Sequence, residues 1–386
     1  MAQQPSQSPS QLPARPAANA SQAAAPAPTP TGPPAPPLAG DPVAGRAAPA
    51  APAAVAAVPG GTPARRAVIQ VQNVTKKFGD VVGVDDISFE VYEGEIFGFI
   101  GPSGSGKTTT MRLLNGIYAP TSGQVRLLGV NPAKPTRHLH EGFGYMPQQF
   151  VLYPNLTVYE NIDFLAGIHG LGWRERHKQI RTLLDFVELW DARGRLAENI
   201  SGGMQRRLEL AGSLIHSPRL LFVDEPTAGI DPVLRGKFWE EFRRLRDSGR
   251  TIFVTTQYVG ESEYCDRVGV IRKGKLIAVA TPLELRRMAM QGDVVDLEAN
   301  NLSGDAIRQL LTQPYVVVQG GKPQYKWINY PSSLRIHVLD AGDAIPQMMQ
   351  VLDSAGVSVT ALQEYRPTFD EVFIELMGDT GDLNAD

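Results

Sequence analysis

Apolar positions along this chain follow three patterns, and each predicts a different kind of element. Unbroken runs at Ile96-Phe97-Gly98-Phe99-Ile100, Leu220-Leu221-Phe222-Val223 and Thr251-Ile252-Phe253-Val254-Thr255 leave no face for water and read as buried core strands. Alternation at Ile87, Phe89 and Val91 is the two-residue period of a half-buried strand. Strands over 68–74 and 125–128 join it, set off by turns at Phe78-Gly79-Asp80, Glu93-Gly94 and Thr121-Ser122-Gly123. In the third pattern, Ile180, Leu183, Leu184, Val187 and Trp190 recur at helical spacing, and residues from about 150 to 200 read as helical. A helix opens at Thr108 with Met111, Leu113 and Leu114 as its apolar positions, and another at Asp231-Pro232, with Asp as N-cap and Pro in the first turn. Lys273-Gly274-Lys275, between apolar runs at 268–271 and 276–279, signals a hairpin.

Beyond a helix over 283–290 the order changes. Strand 294–299, helix 306–311, strands 315–318 and 334–339, helix 345–352 and strand 357–362 follow one another, and a last short helix opens at Thr368-Phe369-Asp370. That β-α-β-β-α-β order predicts a small ferredoxin-like α+β domain over 291–378, after a main α/β domain over 67–290. Residues 379–386 read as a flexible tail.

Composition adds a third region. Residues 1–66 hold 16 of the 31 prolines and almost no large apolar residues, so they predict a disordered Pro/Ala-rich tail. A net charge of −3 gives no sign of a nucleic-acid binder working by bulk charge. No stretch reaches the roughly 18 consecutive apolar residues of a membrane span, so any spans must come from another chain. The lone Cys265 rules out an internal disulfide, and His138-x-His140 alone offers too few ligands for zinc.

The candidate chemistry begins at Gly101-Pro102-Ser103-Gly104-Ser105-Gly106-Lys107-Thr108-Thr109, the spacing G-x-x-x-x-G-K-[ST] between a buried strand and a helix. Glycines let successive N–H groups face one anion, and the helix adds the positive end of its dipole. Lys107 supplies charge for the outer phosphates, and the Thr108 hydroxyl suits Mg²⁺. Asp224, at the end of a core strand, is placed to hold Mg²⁺ through water, and Glu225 to activate an attacking water. Ser201-Gly202-Gly203 opens a second helix N-terminus of the same anion-binding kind. Two such sites with one nucleotide between them imply two copies of the chain face to face.

With these motifs in view the chain resembles the ATP-binding-cassette ATPases over residues 67 to about 285, and Ser201-Gly202-Gly203-Met204-Gln205, 94 residues after Lys107, carries the match. The resemblance implies a parallel-sheet core with an antiparallel β subdomain and a helical subdomain at about 150–215. It implies ATP and Mg²⁺ as cofactors, with Phe78 stacking on adenine, Gln148 sensing Mg²⁺ and water, and Asp231 in the loop that crosses the dimer. A segment of about 150–165 would touch a membrane permease of about six spans. One position departs: Gln257 stands where the family usually has a histidine, and an amide bonds a γ-phosphate without positive charge.

Ser201 to Arg207 and Ala228-Gly229-Ile230-Asp231-Pro232 resemble the export-type group, as does Pro367-Thr368-Phe369-Asp370-Glu371-Val372-Phe373 near the end. The expectation is an ATPase peripheral to the cytoplasmic face of the cell membrane, clamping ATP between two copies and driving a separate permease. Two alternatives stay open on the sequence: a soluble ATPase of the same fold not linked to transport, and a weakly hydrolysing regulatory switch. The sequence does not reveal the cargo.

Overall fold

The computed structural model describes residues 65–134 and 137–377, without the side chains of 137, 138 and 140. The expected N-terminal tail lies outside the described residues as far as 64, and the tail over 379–386 lies wholly outside them. The side chains of His138 and His140 do too.

Strand β1 (Ala67–Phe78) turns through Gly79, at φ 60°, into β2 (Val81–Tyr92). It reaches four residues past the apolar run that predicted it. β3 (Ile96–Ile100) leads through the phosphate-loop sequence into α1 (Lys107–Leu114), and β4 (Ser122–Leu127) pairs with β1. α2 (Arg137–Gly142) precedes β5 (Phe143–Met146), a four-residue strand too short to show in the pattern. Helices α3 (Val158–Ile168), α4 (Trp173–Phe186) and α5 (Gly202–Leu214) follow. Then come β6 (Leu220–Asp224), α6 (Pro232–Asp247), β7 (Thr251–Thr256), β8 (Arg267–Arg272), β9 (Lys275–Ala280) and α7 (Pro282–Met290). One expectation needs correcting: α4 ends at Phe186, and Trp190 instead opens a short 3-10 turn, held between the guanidinium groups of Arg181 and Arg193.

The main sheet runs β5-β6-β7-β3-β8-β9, parallel except for the β8–β9 hairpin, beside a three-stranded antiparallel sheet β2-β1-β4. Both faces of the main sheet are covered, which is why its strands are apolar at every position. Phe97, Phe99, Phe222 and Phe253 face the antiparallel sheet, where Phe89 of β2 stacks on Phe97 at 5.6 Å and Phe97 on Phe253 at 5.7 Å. Their neighbours Ile96, Ile100, Leu221, Val223, Ile252 and Val254 face the helices and pack with Leu208, Phe238 and Trp239. Each fully buried side chain of this size contributes roughly 1.5–3 kcal/mol.

The C-terminal module contains β10 (Asp293–Asn300), α8 (Gly304–Leu311), the small hairpin β11 (Val318–Gln319) and β12 (Lys322–Pro323), β13 (Tyr325–Asn329), β14 (Ser333–Val338), α9 (Ala341–Ser354), β15 (Ser358–Tyr365) and α10 (Phe369–Met377). Its sheet order is β13-β14-β10-β15, every pair antiparallel. The second strand of this sheet is β13, not the expected run at 315–318. Tyr315, Val316 and Val317 are buried, but Val316 makes a single bridge to Val338 and stays outside the sheet. The true edge strand is mostly exposed, so burial selects no apolar pattern in it. Phe369, Val372 and Met377 of α10 join the core beneath β7 and α7 rather than that of the C-terminal sheet.

Candidate active site

Four segments with candidate chemistry leave neighbouring parallel strands at the same edge of the main sheet. The register pairs Ile100 with Thr256, Asp224 with Thr255, and Met146 with Val223. The phosphate loop, Glu225, Gln257 and Gln148 each begin one or two residues past those positions. Parallel strands thus aim their carboxyl ends at one crevice, the usual ligand position in such sheets.

Three side chains already touch there. Lys107 Nζ lies 3.3 Å from Glu225 Oε1, and Gln148 Nε2 donates to Glu225 Oε2 at 2.9 Å. The Lys107 ammonium also donates to the carbonyls of Gly101 at 2.9 Å and Pro102 at 3.1 Å, and is only 4% exposed. Asp224 is buried and accepts the Thr255 hydroxyl; burial holds its carboxyl above the usual range, with the Thr255 bond and Lys107 opposing. Thr255 does two jobs, because its hydroxyl oxygen also accepts from the Glu225 N–H at 3.2 Å. Sequence reasoning missed Thr255, since its role appears only once β6 and β7 are placed in register.

The cradle fits a polyphosphate and a divalent cation on three observations. A Cβ on Gly101 would lie 2.2 Å from the Ile271 carbonyl oxygen, and one on Gly106, at φ 109°, 2.7 Å from the Gly83 oxygen, so the loop curls as tightly as glycine allows. Helix α1 begins at Gly106 with no side-chain cap, leaving its first N–H groups directed at the crevice. The buried Ser105 hydroxyl finds no hydrogen-bond partner among the described residues, and the raised Asp224 carboxyl is in an environment that a cation would relieve. Pro102, Ser103, Gly104, Thr108 and Thr109 complete the loop around this space. Phe78, 42% exposed, stands beside it: both its ring and the Thr109 methyl approach the same side of Gly83. Gln257 is exposed, one residue beyond β7.

The remaining expected residues form a second, separate cleft. Ser201 caps α5, its hydroxyl accepting from Met204 N at 3.3 Å, and Asp231 caps α6, accepting from Val233 and Leu234 N at 3.0 Å each. Gly202, Gly203, Asp231 and Leu234 line a space of about 510 Å³ with Phe150, and no phosphate-loop residue reaches it. Gly203 is a close approach, since a Cβ there would meet Leu234 at 2.3 Å. Arg206 ties α5 to the Gln148 segment, donating to the carbonyls of Pro147 at 3.0 Å and of Gln148. Glu209, which pairs with Arg206 at 2.9 Å, accepts from Val151 N at 3.0 Å. That link was also missed, though an Arg-Glu pair three apart on one helix was a visible signal.

A third feature lies between the sheet and the helices. Tyr145, Val151, Leu152, Leu165 and His216 line an apolar groove of about 300 Å³. The loop that follows Leu152 in the chain is fixed by buried Asn161, whose amide donates to the carbonyls of Tyr153, Leu156 and Thr157 and accepts from Tyr153 N at 2.9 Å. Thr157 and Glu160 form a reciprocal capping box at the start of α3.

Residues 84–228 match the family described as "ABC transporter". The "Linearmycin resistance ATP-binding protein LnrL" of Bacillus subtilis (strain 168) is 31% identical over 321 residues, which are 81% of this chain and 99% of that one. The "Probable multidrug ABC transporter ATP-binding protein YbhF" of Escherichia coli (strain K12) is 40% identical over 236 residues, and the chain spans only 41% of its length. Among solved structures, the "Dimeric structure of a post-hydrolysis state of the ATP-binding cassette MJ0796 bound to ADP and Pi" superposes with a TM-score of 0.51 at 26% identity, covering 55% of this chain and 98% of that one.

Proposed function

This chain belongs to the ATP-binding-cassette family, and from that premise we propose that it is the ATP-hydrolysing subunit of an exporter whose membrane permease is a separate chain. The observation that carries the proposal is the Lys107–Glu225–Gln148 contact set inside an uncapped glycine cradle. It brings a phosphate-binding cation, a candidate base and a candidate water ligand together.

In this reading Gly101 to Thr109 wrap the phosphates and Phe78 stacks on the adenine. Thr108, Asp224 and Gln148 would hold Mg²⁺, which when bound neutralises charge on the phosphate oxygens. The Lys107 ammonium pairs with Glu225 and would turn to the phosphate oxygens of a bound polyphosphate. The Glu225 carboxylate takes a proton from the water whose oxygen bonds to the terminal phosphorus as the bond from that phosphorus to the ADP oxygen breaks. Gln257 donates to the terminal phosphate as a neutral group. Ser201, Gly202, Gly203 and Asp231 sit in the other cleft, so they serve the nucleotide of a second copy. ATP then closes two chains on each other, and its hydrolysis lets them part.

The permease docks at the groove beside Val151 and Leu165, within the expected segment of about 150–165. Among the described residues no helix is long and apolar enough to cross a membrane. In this reading the chain is peripheral to the cytoplasmic face, and the spans, about six, lie in the partner. No nucleic acid enters this scheme. The names of the relatives, a drug-resistance protein and a multidrug transporter component, support export.

The test is Mg²⁺-dependent phosphate release by the purified chain, alone and with its co-expressed permease. Glu225→Gln is expected to reduce the rate on the order of 10²–10⁴-fold while ATP still binds. Undiminished hydrolysis in that variant would remove Glu225 from the role of base.

A further inference from the structure

The last helix of the C-terminal module bears on the nucleotide cradle at two points. The first runs through the β8–β9 hairpin. Its turn, Lys273 at φ 46° and Gly274 at φ 80°, lies directly on the phosphate loop: Gly274 N donates to the Ser105 carbonyl at 2.9 Å, and Asp85 N donates to the Gly274 carbonyl at 2.8 Å. Ile271 packs under the same loop, its oxygen closing on Gly101 and its Cδ1 on Gly106. Arg272, between Ile271 and the turn, donates through Nη1 to the carbonyl of Met377, the final residue of α10. A guanidinium on the carbonyl end of a helix is a charge-assisted bond that the helix dipole strengthens.

The second point is the 3-10 turn Val259–Tyr264, which starts two residues after Gln257. Phe369, Val372 and Met377 of α10 share a buried core with Val259 and Tyr264. Arg286 of α7 lies over the Phe369 ring at 4.3 Å and donates to the Pro367 carbonyl at 3.0 Å, fixing where α10 begins. At its other attachment α10 is locked to the C-terminal sheet. Tyr365 at the end of β15 donates to Glu371 at 2.9 Å, and Arg335 of β14 lies over the Tyr365 ring while pairing with Asp296 at 2.8 Å.

We propose that α10 is a positioning element for the nucleotide site, that Arg272 is the residue through which it acts, and that a shift of the C-terminal module thereby changes the affinity of the cradle for ATP. The chain of contacts is C-terminal sheet, Glu371, α10, Met377, Arg272, Gly274, Ser105. Arg272 touches no substrate; it sets the height of the hairpin against a loop that has no spare space. The inference rests on the reading of that loop as an ATP site.

The experiment compares Arg272→Met, which keeps the apolar stem and removes the donors, with Arg272→Lys, which keeps a charged donor, and with Phe369→Leu, which loosens α10 without altering Arg272. Binding of a fluorescent ATP analogue with Mg²⁺, steady-state ATPase kinetics and thermal melting are measured on the full chain. Arg272→Met and Phe369→Leu are expected to raise Kd and KM about three- to tenfold with kcat within about twofold, and Arg272→Lys to recover most of the loss. Wild-type affinity in Arg272→Met overturns the proposal, and so does a loss that Arg272→Lys shares in full and that follows melting temperature alone. Should the wild-type chain itself fail to bind the analogue, the ATP reading falls and this inference with it. An intact wild type beside an unaffected Arg272→Met removes only the latter.

Discussion

Glu225 sits at φ 45°, a left-handed conformation that a non-glycine residue holds only under constraint, and its N–H bonds to the Thr255 carbonyl at 3.0 Å and to the Thr255 hydroxyl supply that constraint. The backbone at the end of β6 is therefore held in one conformation, which in the proposed reaction suits a group that takes a proton at one point in space. Gln257 is the opposite case, exposed and neutral where a histidine is usual in the family. An imidazolium would add a charge-assisted bond to the terminal phosphate, worth roughly twice a neutral one. Gln257→His is expected to raise kcat by about two- to tenfold below pH 7, with the gain shrinking as the imidazole loses its proton; an unchanged ATPase rate between pH 6 and 8 would count against any role for this position. The side chains of the crevice were legible because spacing alone identifies a phosphate loop and an acidic pair. Thr255, Arg206 and Asn161 were not, since each acts through a backbone partner that only the folded register or a loop brings near.

Helix α6 was readable from its first two residues, because Asp231 can cap and Pro232 suits a first turn. Its interior was not. Glu241 is buried on that helix with one carboxylate oxygen lacking a hydrogen-bond partner among the described residues, and burial raises its pKa to about 7, against the pull of Arg207. The folded state thus holds a proton that the unfolded chain releases near pH 4.5. Stability from this group is fully present below pH 4.5, declines as pH rises to about 7, and is flat above. Glu241→Gln is expected to remove that decline and to add roughly 1–3 kcal/mol at pH 8 while changing little at pH 4, as urea unfolding at the two pH values would show; equal effects at both would rule out titration as the cause. The edge strand β13 shows the converse limit. Tyr315, Val316 and Val317 form the stronger apolar run and are buried, yet they meet β14 through one bridge only, with Val317 N donating to His337 O and Leu339 N to Tyr315 O at 2.9 Å each, and do not extend it into a ladder. Tyr325–Asn329 secures its place through pairing with β14, a partner that the local pattern does not reveal.

Across the described residues, the helix starts at Gly106 and Ser201 lie apart, and no phosphate-loop residue lines the cleft formed by Gly202, Gly203 and Asp231. That separation is what makes assembly part of the proposed chemistry. Ser201→Arg is expected to leave ATP binding by the single chain within about twofold and to abolish the ATP-dependent dimer of the Glu225→Gln background, read by light scattering after size exclusion. A dimer that persists would mean the copies meet through another surface. The broad α/β plan, the helical segment and most of the C-terminal elements could be drawn from apolar periodicity, with the edge strand β13 as the exception. The link from α10 back to the hairpin could not, because it joins residues 105 positions apart through one arginine and one carbonyl.

The Asn161 amide fixes the 153–157 loop with four bonds inside the chain itself. Under the proposed docking within 150–165, a partner segment that reached this loop would meet a backbone already held in one conformation, so little of the binding free energy would go into ordering it. Association there should then be fast and weakly temperature-dependent, and movement of the loop should pass to α3 as a rigid displacement instead of being absorbed by a yielding segment.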